Sequence, residues 1–170
     1  MPVTRRKFLE KTGATALGAA AAVEARGAQS SSARRGKAAQ GRQGSKPRAV
    51  NSPQLPKPSG PLSHAVIAGG MIYVSGQVAA DPRTGRVVEG GFEEQAVQVF
   101  ENVKAILTGA GATFSDVARV NVYLSDLGNF AKMNEIYRRY FRENYPARTT
   151  VGVQLLGTYM IEVDCVAVGE

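Results

Sequence analysis

The chain has 170 residues, the length of one ordinary domain, and its 21 basic and 14 acidic side chains give a formal net charge of +7. The first 56 residues hold eleven of the basic and two of the acidic side chains, so they carry +9 and the remainder carries −2. A basic protein suggests a nucleic-acid partner, but the mildly acidic remainder argues against that class. One cysteine, Cys165, excludes an intramolecular disulfide and a cysteine-rich metal site.

Residues 1–28 have the features of a twin-arginine export signal. The pair Arg5-Arg6 is followed by Phe8-Leu9 and then by an alanine-rich apolar run from Ala14 to Val23. That run is shorter than the roughly 20 residues that cross a bilayer, as in a signal peptide. We therefore expect transient contact with the twin-arginine export machinery and a periplasmic or secreted protein. The alternative is a chance basic, amphipathic start.

Residues 29–56 contain mainly small, basic and amide side chains and prolines, with almost no large apolar residue. Such a segment cannot bury enough apolar surface to offset its chain entropy. It is therefore predicted to be a disordered basic linker, and the folded domain is predicted to span residues 57–170.

The folded part begins with two apolar runs, Ala65–Ala68 and Met71–Ser75, on either side of a Gly-Gly pair, which predicts a hairpin. A short edge strand is predicted at Val87-Val88. Apolar residues then recur at helical spacing over 92–108 and 130–143. Alternating patterns predict further strands over 117–124, 149–155 and 160–168. The polar face of the second helix carries charges interpreted as solvated: Lys132, Arg138, Arg139 and Arg142.

The predicted element order is β-β-α-β-α-β-β, and each helix has one apolar stripe. Both helices can then cover the same face of one mixed sheet, which makes the fold class an α+β two-layer sandwich. The opposite sheet face mixes polar and apolar side chains: Asn121, Tyr123, Glu162, Asp164, Val166 and Val168. A face of this kind often meets another subunit, so we expect an oligomer.

The segment between the second helix and the next strand is the strongest candidate for a site. Pro146 cannot continue a helix, so the chain turns there and Arg148 falls at the start of a strand. Arginine offers a planar fork of donors that matches a carboxylate in two parallel hydrogen bonds. The alternative is a solvated arginine after a turn.

Six short motifs follow one another between Pro58 and Gly169. They are Gly60-Pro61-x-Ser63, Val74-Ser75-Gly76-Gln77, Glu94-Gln95, Met133-Asn134-Glu135-Ile136-Tyr137, Pro146-Ala147-Arg148-Thr149 and Ile161-Glu162-Val163. In this order they resemble the Rid/YjgF family of reactive intermediate deaminases, also described as enamine/imine deaminases.

The resemblance implies a chorismate-mutase-like fold and a homotrimer with one active site in each cleft between neighbouring subunits. The catalytic residues it implies are Arg148, which grips the substrate carboxylate, and Glu162, which positions or activates the attacking water. The other substrate-binding positions it implies are Asn134, Ser75, Thr150 and Leu62. Thr150 replaces a frequent cysteine, and Leu62 replaces the usual tyrosine of the deaminase subgroup. His64 replaces the usual glutamine, and we interpret it as a core or rim residue.

These observations predict an exported deaminase that hydrolyses 2-imino or enamine acids to 2-oxo acids and ammonia, without cofactor or metal. Arg148 would orient the substrate and Glu162 would act on the water. Without the resemblance, Glu162 is equally a surface acid, and Ser75 and Asn134 make local hydrogen bonds. Because Leu62 lacks a hydroxyl, one alternative is a non-catalytic trimeric binding module for small carboxylate-bearing metabolites. A nucleic-acid role is disfavoured by charge.

Overall fold

The structure is a computed structural model that describes residues 46–169. The predicted export signal and residues 29–45 of the predicted linker lie outside the described residues. The strands are β1 Arg48–Val50, β2 Ala65–Ala68, β3 Met71–Val78, β4 Val117–Leu124, β5 Ala147–Gly152 and β6 Ile161–Val168, and the helices are α1 Phe92–Gly109 and α2 Phe130–Tyr140. Within residues 46–169, no helix is both long and apolar enough to span a membrane.

The six strands form one sheet in the order β1-β2-β3-β6-β4-β5. All neighbouring strands are antiparallel except β4 and β5, which are parallel because α2 forms the crossover between them. The last strand in the sequence, β6, therefore lies in the middle of the sheet, and β5 lies at one edge. This arrangement confirms the predicted α+β sandwich with a mixed sheet.

One face of the sheet is covered by the helices and forms the core. Helix α1 buries a stripe at helical spacing, which includes Val99, Phe100, Val103 and Ile106. Alternate strand residues meet this stripe, and the buried ones include Ile72, Val120, Val122, Ile161, Val163 and Cys165. Because strand side chains alternate between the two faces, the side chains of β4 and β6 that do not meet this stripe lie on the opposite face. We call this face, which neither helix covers, the open face.

An aromatic cluster joins α1 to α2. The Phe100 ring stacks on Tyr140 with centroids 4.9 Å apart and meets the edge of Tyr137 at 5.8 Å. Tyr137 also stacks on Phe141, with centroids 4.3 Å apart. Such aromatic pairs add to the energy of area burial, so this cluster fixes the position of α2 beside the edge strand β5.

The predicted linker is wrong over its last residues. Strand β1 pairs with β2, Val50 is buried, and the buried Ser52 donates a hydrogen bond of 2.8 Å to the carbonyl of Ala105 in α1. An edge strand is held largely by backbone hydrogen bonds, which composition does not report. The folded domain therefore includes residues 48–56, ahead of the boundary predicted from composition.

Two smaller predictions also need correction. The predicted strand at Val87-Val88 is only an isolated bridge between Ala80 and Val87, because the intervening turn allows little pairing. Helix α2 ends at Tyr140, three residues earlier than predicted, because the chain leaves the helix before the turn at Asn144, whose φ is 51°. This turn leads directly into β5.

Candidate functional site

Arg148 is the second residue of β5 and points to the helix-covered face. Its register partner in β4 is Val120, which pairs in turn with the buried Cys165 of β6, and registered residues share a face. The guanidinium carbon lies 4.6 Å from the centroid of the Tyr137 ring and 5.9 Å from that of Phe130. The side chain is thus held against α2 by cation–π contacts.

The charge of Arg148 is not neutralised within the described part of the chain. None of the salt bridges there includes Arg148, and its one side-chain hydrogen-bond contact is to the sulfur of Met133 at 3.9 Å. An aromatic face attracts a cation without cancelling its charge. A half-buried guanidinium in this state presents its donors to an anion.

Arg148 opens into a cleft of about 300 Å³, which we call the Arg148 cleft. Its lining residues are Asn134, Tyr137, Arg138, Tyr145, Pro146 and Arg148. Two of the predicted substrate-binding residues, Arg148 and Asn134, are therefore brought together. Sequence analysis missed Tyr137, Arg138 and Tyr145 as site residues. The spacing of positions 134, 137 and 138, which places all three on one side of a helix, was a usable signal.

Two buried hydroxyls on α2 and β5 lack hydrogen-bond partners among the described residues. They are those of Tyr137 and of Thr150, which follows Arg148 by two positions and shares its face. Burial raises the pKa of Tyr137 to about 12, although the positive charge of Arg148 acts against this. Tyr137 is therefore neutral at physiological pH, and the Arg148 site carries no phenolate.

Glu162 lies on the open face of the sheet, in register with Val78 of β3 and Tyr123 of β4. Its side chain passes directly over the backbone of Gly76, where an added Cβ would collide with the carboxylate oxygen and lie 3.0 Å from its carbon. Burial raises the pKa of Glu162, and the nearby charge of Asp164 adds to this effect. A carboxylate with a raised pKa is a stronger base.

Asp164 is held firmly on the same open face. It accepts a hydrogen bond of 2.8 Å from the Asn121 amide and one of 2.9 Å from the Tyr123 hydroxyl. The bond from Tyr123 raises the pKa of that phenol, so Tyr123 remains a donor. Asp164 therefore stays beside Glu162 as a fixed negative charge.

The remaining predicted site residues lie around β3. The hydroxyl of Ser75 donates a 2.6 Å hydrogen bond to the carbonyl of Ser63, so its proton is used within the fold. Leu62 is 55% exposed and lines, with Gly76, a second cleft of about 400 Å³. We refer to Leu62, Ser75, Gly76 and Glu162 as the Glu162 group.

His64 is a buried core residue, as predicted. Its Nδ1 accepts a hydrogen bond of 3.1 Å from the backbone N–H of Ser52, which ties β2 to the segment after β1. Burial lowers the pKa of the imidazole, so it remains neutral. Its Nδ1 is used within the fold, although the residue also lines the second cleft beside Leu62.

The described residues contain no group of three or more His, Cys, Asp or Glu side chains placed to hold a metal ion. The lining of the Arg148 cleft has no His, Cys, Asp or Glu side chain, and the Glu162 group has one, Glu162 itself. The candidate chemistry is therefore that of a guanidinium, a carboxylate and hydroxyls.

A single chain does not assemble the whole predicted site. Arg148, Asn134 and Thr150 lie around β5 and α2, whereas Ser75, Leu62 and Glu162 lie around β3 and β6. Strand β4 separates β5 from β6, so Arg148 and Glu162 are about 10 Å apart across the sheet. Glu162 also lies three residues along β6 from Cys165, the residue in line with Arg148, and the two side chains point to opposite faces.

A mixed sheet under two helices, with an arginine opening the edge strand and a glutamate on the central one, defines the class that the sequence resembles. The chain belongs to this family: the profile of the Endoribonuclease L-PSP family, also called Rid/YjgF, matches residues 52–169.

The relatives include proteins named for an activity. A RutC family protein of Pyrococcus abyssi is 50% identical over 118 residues, which cover 69% of this chain and 93% of that protein. The human 2-iminobutanoate/2-iminopropanoate deaminase is 39% identical over 122 residues, which cover 71% of this chain and 89% of that protein.

Solved structures agree with the fold. RidA from the Antarctic bacterium Psychrobacter sp. has a TM-score of 0.68 and 39% identity, covering 71% of this chain and 98% of that one. TdcF from E. coli, with bound serine, has a TM-score of 0.68 and 33% identity, covering 72% of this chain and 99% of that one.

Proposed function

We propose that this protein is a homotrimeric hydrolase acting on C=N bonds, which converts 2-imino or enamine acids into 2-oxo acids and ammonia. The observation that carries the proposal is the guanidinium of Arg148. It is half-buried against Tyr137 and has no carboxylate partner among the described residues. The names of two relatives, the human protein and one from Dermatophagoides farinae, support imine hydrolysis.

The proposed reaction is a hydrolysis without electron transfer. The oxygen of water bonds to C2 of the imine, and the nitrogen takes up a proton, which gives a carbinolamine. Loss of ammonia then forms the carbonyl of the 2-oxo acid. An enamine enters the same route after protonation at C3. Arg148 binds the carboxylate on C1 and so fixes C2 relative to the water, which lowers the barrier through orientation.

Glu162 accepts the proton of the attacking water, or holds that water, in this proposal. Since Arg148 and Glu162 point to opposite faces of one sheet, a second subunit must supply the Glu162 group to the Arg148 cleft. Exposed apolar side chains on the open face, including Tyr73 at 48% and Val168 at 54%, support its burial by another subunit. A repeated contact that joins two different surfaces can close into a ring, and we propose a ring of three because Rid family proteins are homotrimers.

We further propose that the protein is exported by the twin-arginine route. Residues 1–51 precede the part matched by the family profile, and they contain the Arg5-Arg6 pair and the apolar run after it. Export is tested by cell fractionation of the full chain beside the double variant Arg5→Lys, Arg6→Lys. Periplasmic or secreted wild-type protein and retained variant are expected, whereas cytoplasmic wild-type protein would overturn the proposal.

The activity is tested by generating an imino acid in situ with an amino-acid oxidase and following its decay with a trapping reagent. The wild type is expected to accelerate decay, and Arg148→Ala is expected to lose at least about 100-fold in kcat/KM, since it removes a charge-assisted bidentate contact. Arg142→Ala, which removes an exposed arginine outside the cleft, is the matched control.

The binding-module alternative has a different outcome. It predicts that 2-oxobutyrate binds in a manner that needs Arg148, as measured by calorimetry, while the wild type leaves imine decay unchanged. Equal rates for wild type and Arg148→Ala would reject the deaminase.

A further inference from the structure

Arg138 is a second cation in the Arg148 cleft. It lies one helical turn after Asn134 on α2, and it is exposed. No salt bridge in the described residues includes Arg138, whereas its neighbour Arg139 pairs with Glu93 at 2.8 Å. The chain thus neutralises one arginine of this helix and leaves the one that faces the cleft without a carboxylate.

The lining that this chain gives to the cleft has two guanidinium groups and no acidic side chain. The Glu162 group that the proposed function brings from a second subunit adds one carboxylate, on the side of the attacking water. Arginine does not lose its proton in proteins, so the cleft keeps both positive charges. Like charges in one concave site concentrate the local potential, and this attracts an anion with two negative groups more strongly than an anion with one. The arrangement therefore fits a dianion better than a monocarboxylate.

We propose that Arg138 binds a second carboxylate and that the preferred substrate is a 2-imino dicarboxylic acid, an inference that rests on the proposed function. Arg148, half-buried against Tyr137, takes the carboxylate next to the imine carbon. Arg138, at the exposed rim, takes the carboxylate at the far end of the substrate. Asn134, one helical turn before Arg138 on the same side of α2, also lines the cleft.

Arg138 is in this view a specificity residue rather than a catalytic one. A substrate with an apolar side chain gains nothing from it, so its removal changes the preference among substrates and leaves the reacting atoms unaffected. Because Arg138 is exposed, its contact with a carboxylate is screened by salt. The preference for dicarboxylates is therefore expected to shrink as ionic strength rises.

The first experiment measures binding of two products, 2-oxoglutarate and 2-oxobutyrate, by calorimetry at low salt. Arg138→Ala is expected to weaken the binding of 2-oxoglutarate by about fivefold, the upper range for an exposed ion pair, and the binding of 2-oxobutyrate by less than about twofold. Arg138→Lys, which keeps the charge, is expected to retain most of the preference, and Arg142→Ala is expected to change neither. Equal effects of Arg138→Ala on both ligands would overturn the proposal.

The second experiment measures hydrolysis of imines generated from glutamate and from alanine by the corresponding oxidases. The wild type is expected to prefer the glutamate-derived imine, and Arg138→Ala is expected to lose that preference through KM. Hydrolysis of both imines with no such preference would refute the dicarboxylate inference alone. Failure to hydrolyse either would refute the proposed function, and the binding data would still decide the ligand class.

Discussion

Arg148 and Glu162 project from opposite faces of one sheet, with strand β4 between their strands. In one chain no side-chain movement brings them together, since the sheet itself lies between them. Each side chain nevertheless has a specific local contact. The guanidinium of Arg148 packs on the Tyr137 ring, and the absence of a side chain at Gly76 lets the Glu162 carboxylate lie over the backbone. Contact between subunits, which places the Glu162 group of one chain beside the Arg148 cleft of another, is the simplest explanation for both contacts.

Tyr137 is expected to position Arg148 through its ring and not through its hydroxyl. Tyr137→Phe keeps the cation–π contact and removes a buried hydroxyl without a partner among the described residues. It should leave kcat/KM within about twofold and stabilise the fold by about 1 kcal/mol. Tyr137→Leu should raise KM about tenfold by releasing Arg148. Denaturant unfolding and steady-state kinetics check both, and a large loss in Tyr137→Phe would contradict this role.

Gly76 is expected to be needed for the position of Glu162. An alanine at 76 would force the carboxylate aside, but the displaced group is the flexible end of a side chain. Gly76→Ala should therefore lower kcat at least about tenfold, since small misplacement of a catalytic group is costly, with little change in melting temperature. Gly91→Ala, whose added Cβ meets only ordinary contact at 3.7 Å, is the control. Unchanged kcat in Gly76→Ala would remove Glu162 from the mechanism.

The raised pKa of Glu162 makes a prediction about stability. A carboxyl whose pKa is higher in the folded state than in the unfolded state contributes fully below its unfolded pKa, and this contribution is lost as pH rises through its folded pKa. Glu162→Gln should therefore melt higher than wild type at pH 7 and equally at pH 4, at equal protein concentration. A lower melting temperature at pH 7 would show that a cation stabilises the carboxylate.

Asp164 is expected to set the pH range of activity through its charge. Its negative charge helps to raise the pKa of Glu162, so the acid limb of the kcat/KM profile should lie above the ordinary glutamate range. Asp164→Asn removes that charge and lets the pKa of Glu162 fall, so the limb should shift to lower pH. Tyr123→Phe, which deletes one hydrogen bond to Asp164, controls for lost structure. A limb that stays in place would exclude Glu162 as the titrating base.

Most of the fold could be predicted from the sequence because its patterns are strong. The stripe of α1 and the alternation in β4 and β6 each imply one buried face, and the structure has these elements within a residue or two. Strand β1 was not predicted because an edge strand pairs through its backbone groups. The Lys, Arg and Ser content of this segment gives no information about such pairing. The end of α2 at Tyr140 and the start of β5 at Ala147 depend on the turn at Asn144, so the predicted bounds of 143 and 149 were wrong.

The site was only partly predictable. Arg148 could be found because a proline turn leads into a strand, and its placement beside Asn134 follows from the crossover through α2. The sequence did not reveal that β6 inserts between β3 and β4, because strand order is a property of long-range pairing. For the same reason the separation of Glu162 from Arg148, and the role of the Tyr137 ring, required coordinates.

The most direct test of the shared site mixes two defective subunits. Arg148→Ala and Glu162→Gln are co-expressed with different tags, and mixed oligomers are isolated by two successive affinity steps. Each mixed trimer has one cleft that combines an intact arginine with an intact glutamate from the neighbour, so about one third of wild-type activity should return. Each variant alone should be inactive. Mixed oligomers as inactive as the separate variants would contradict the account.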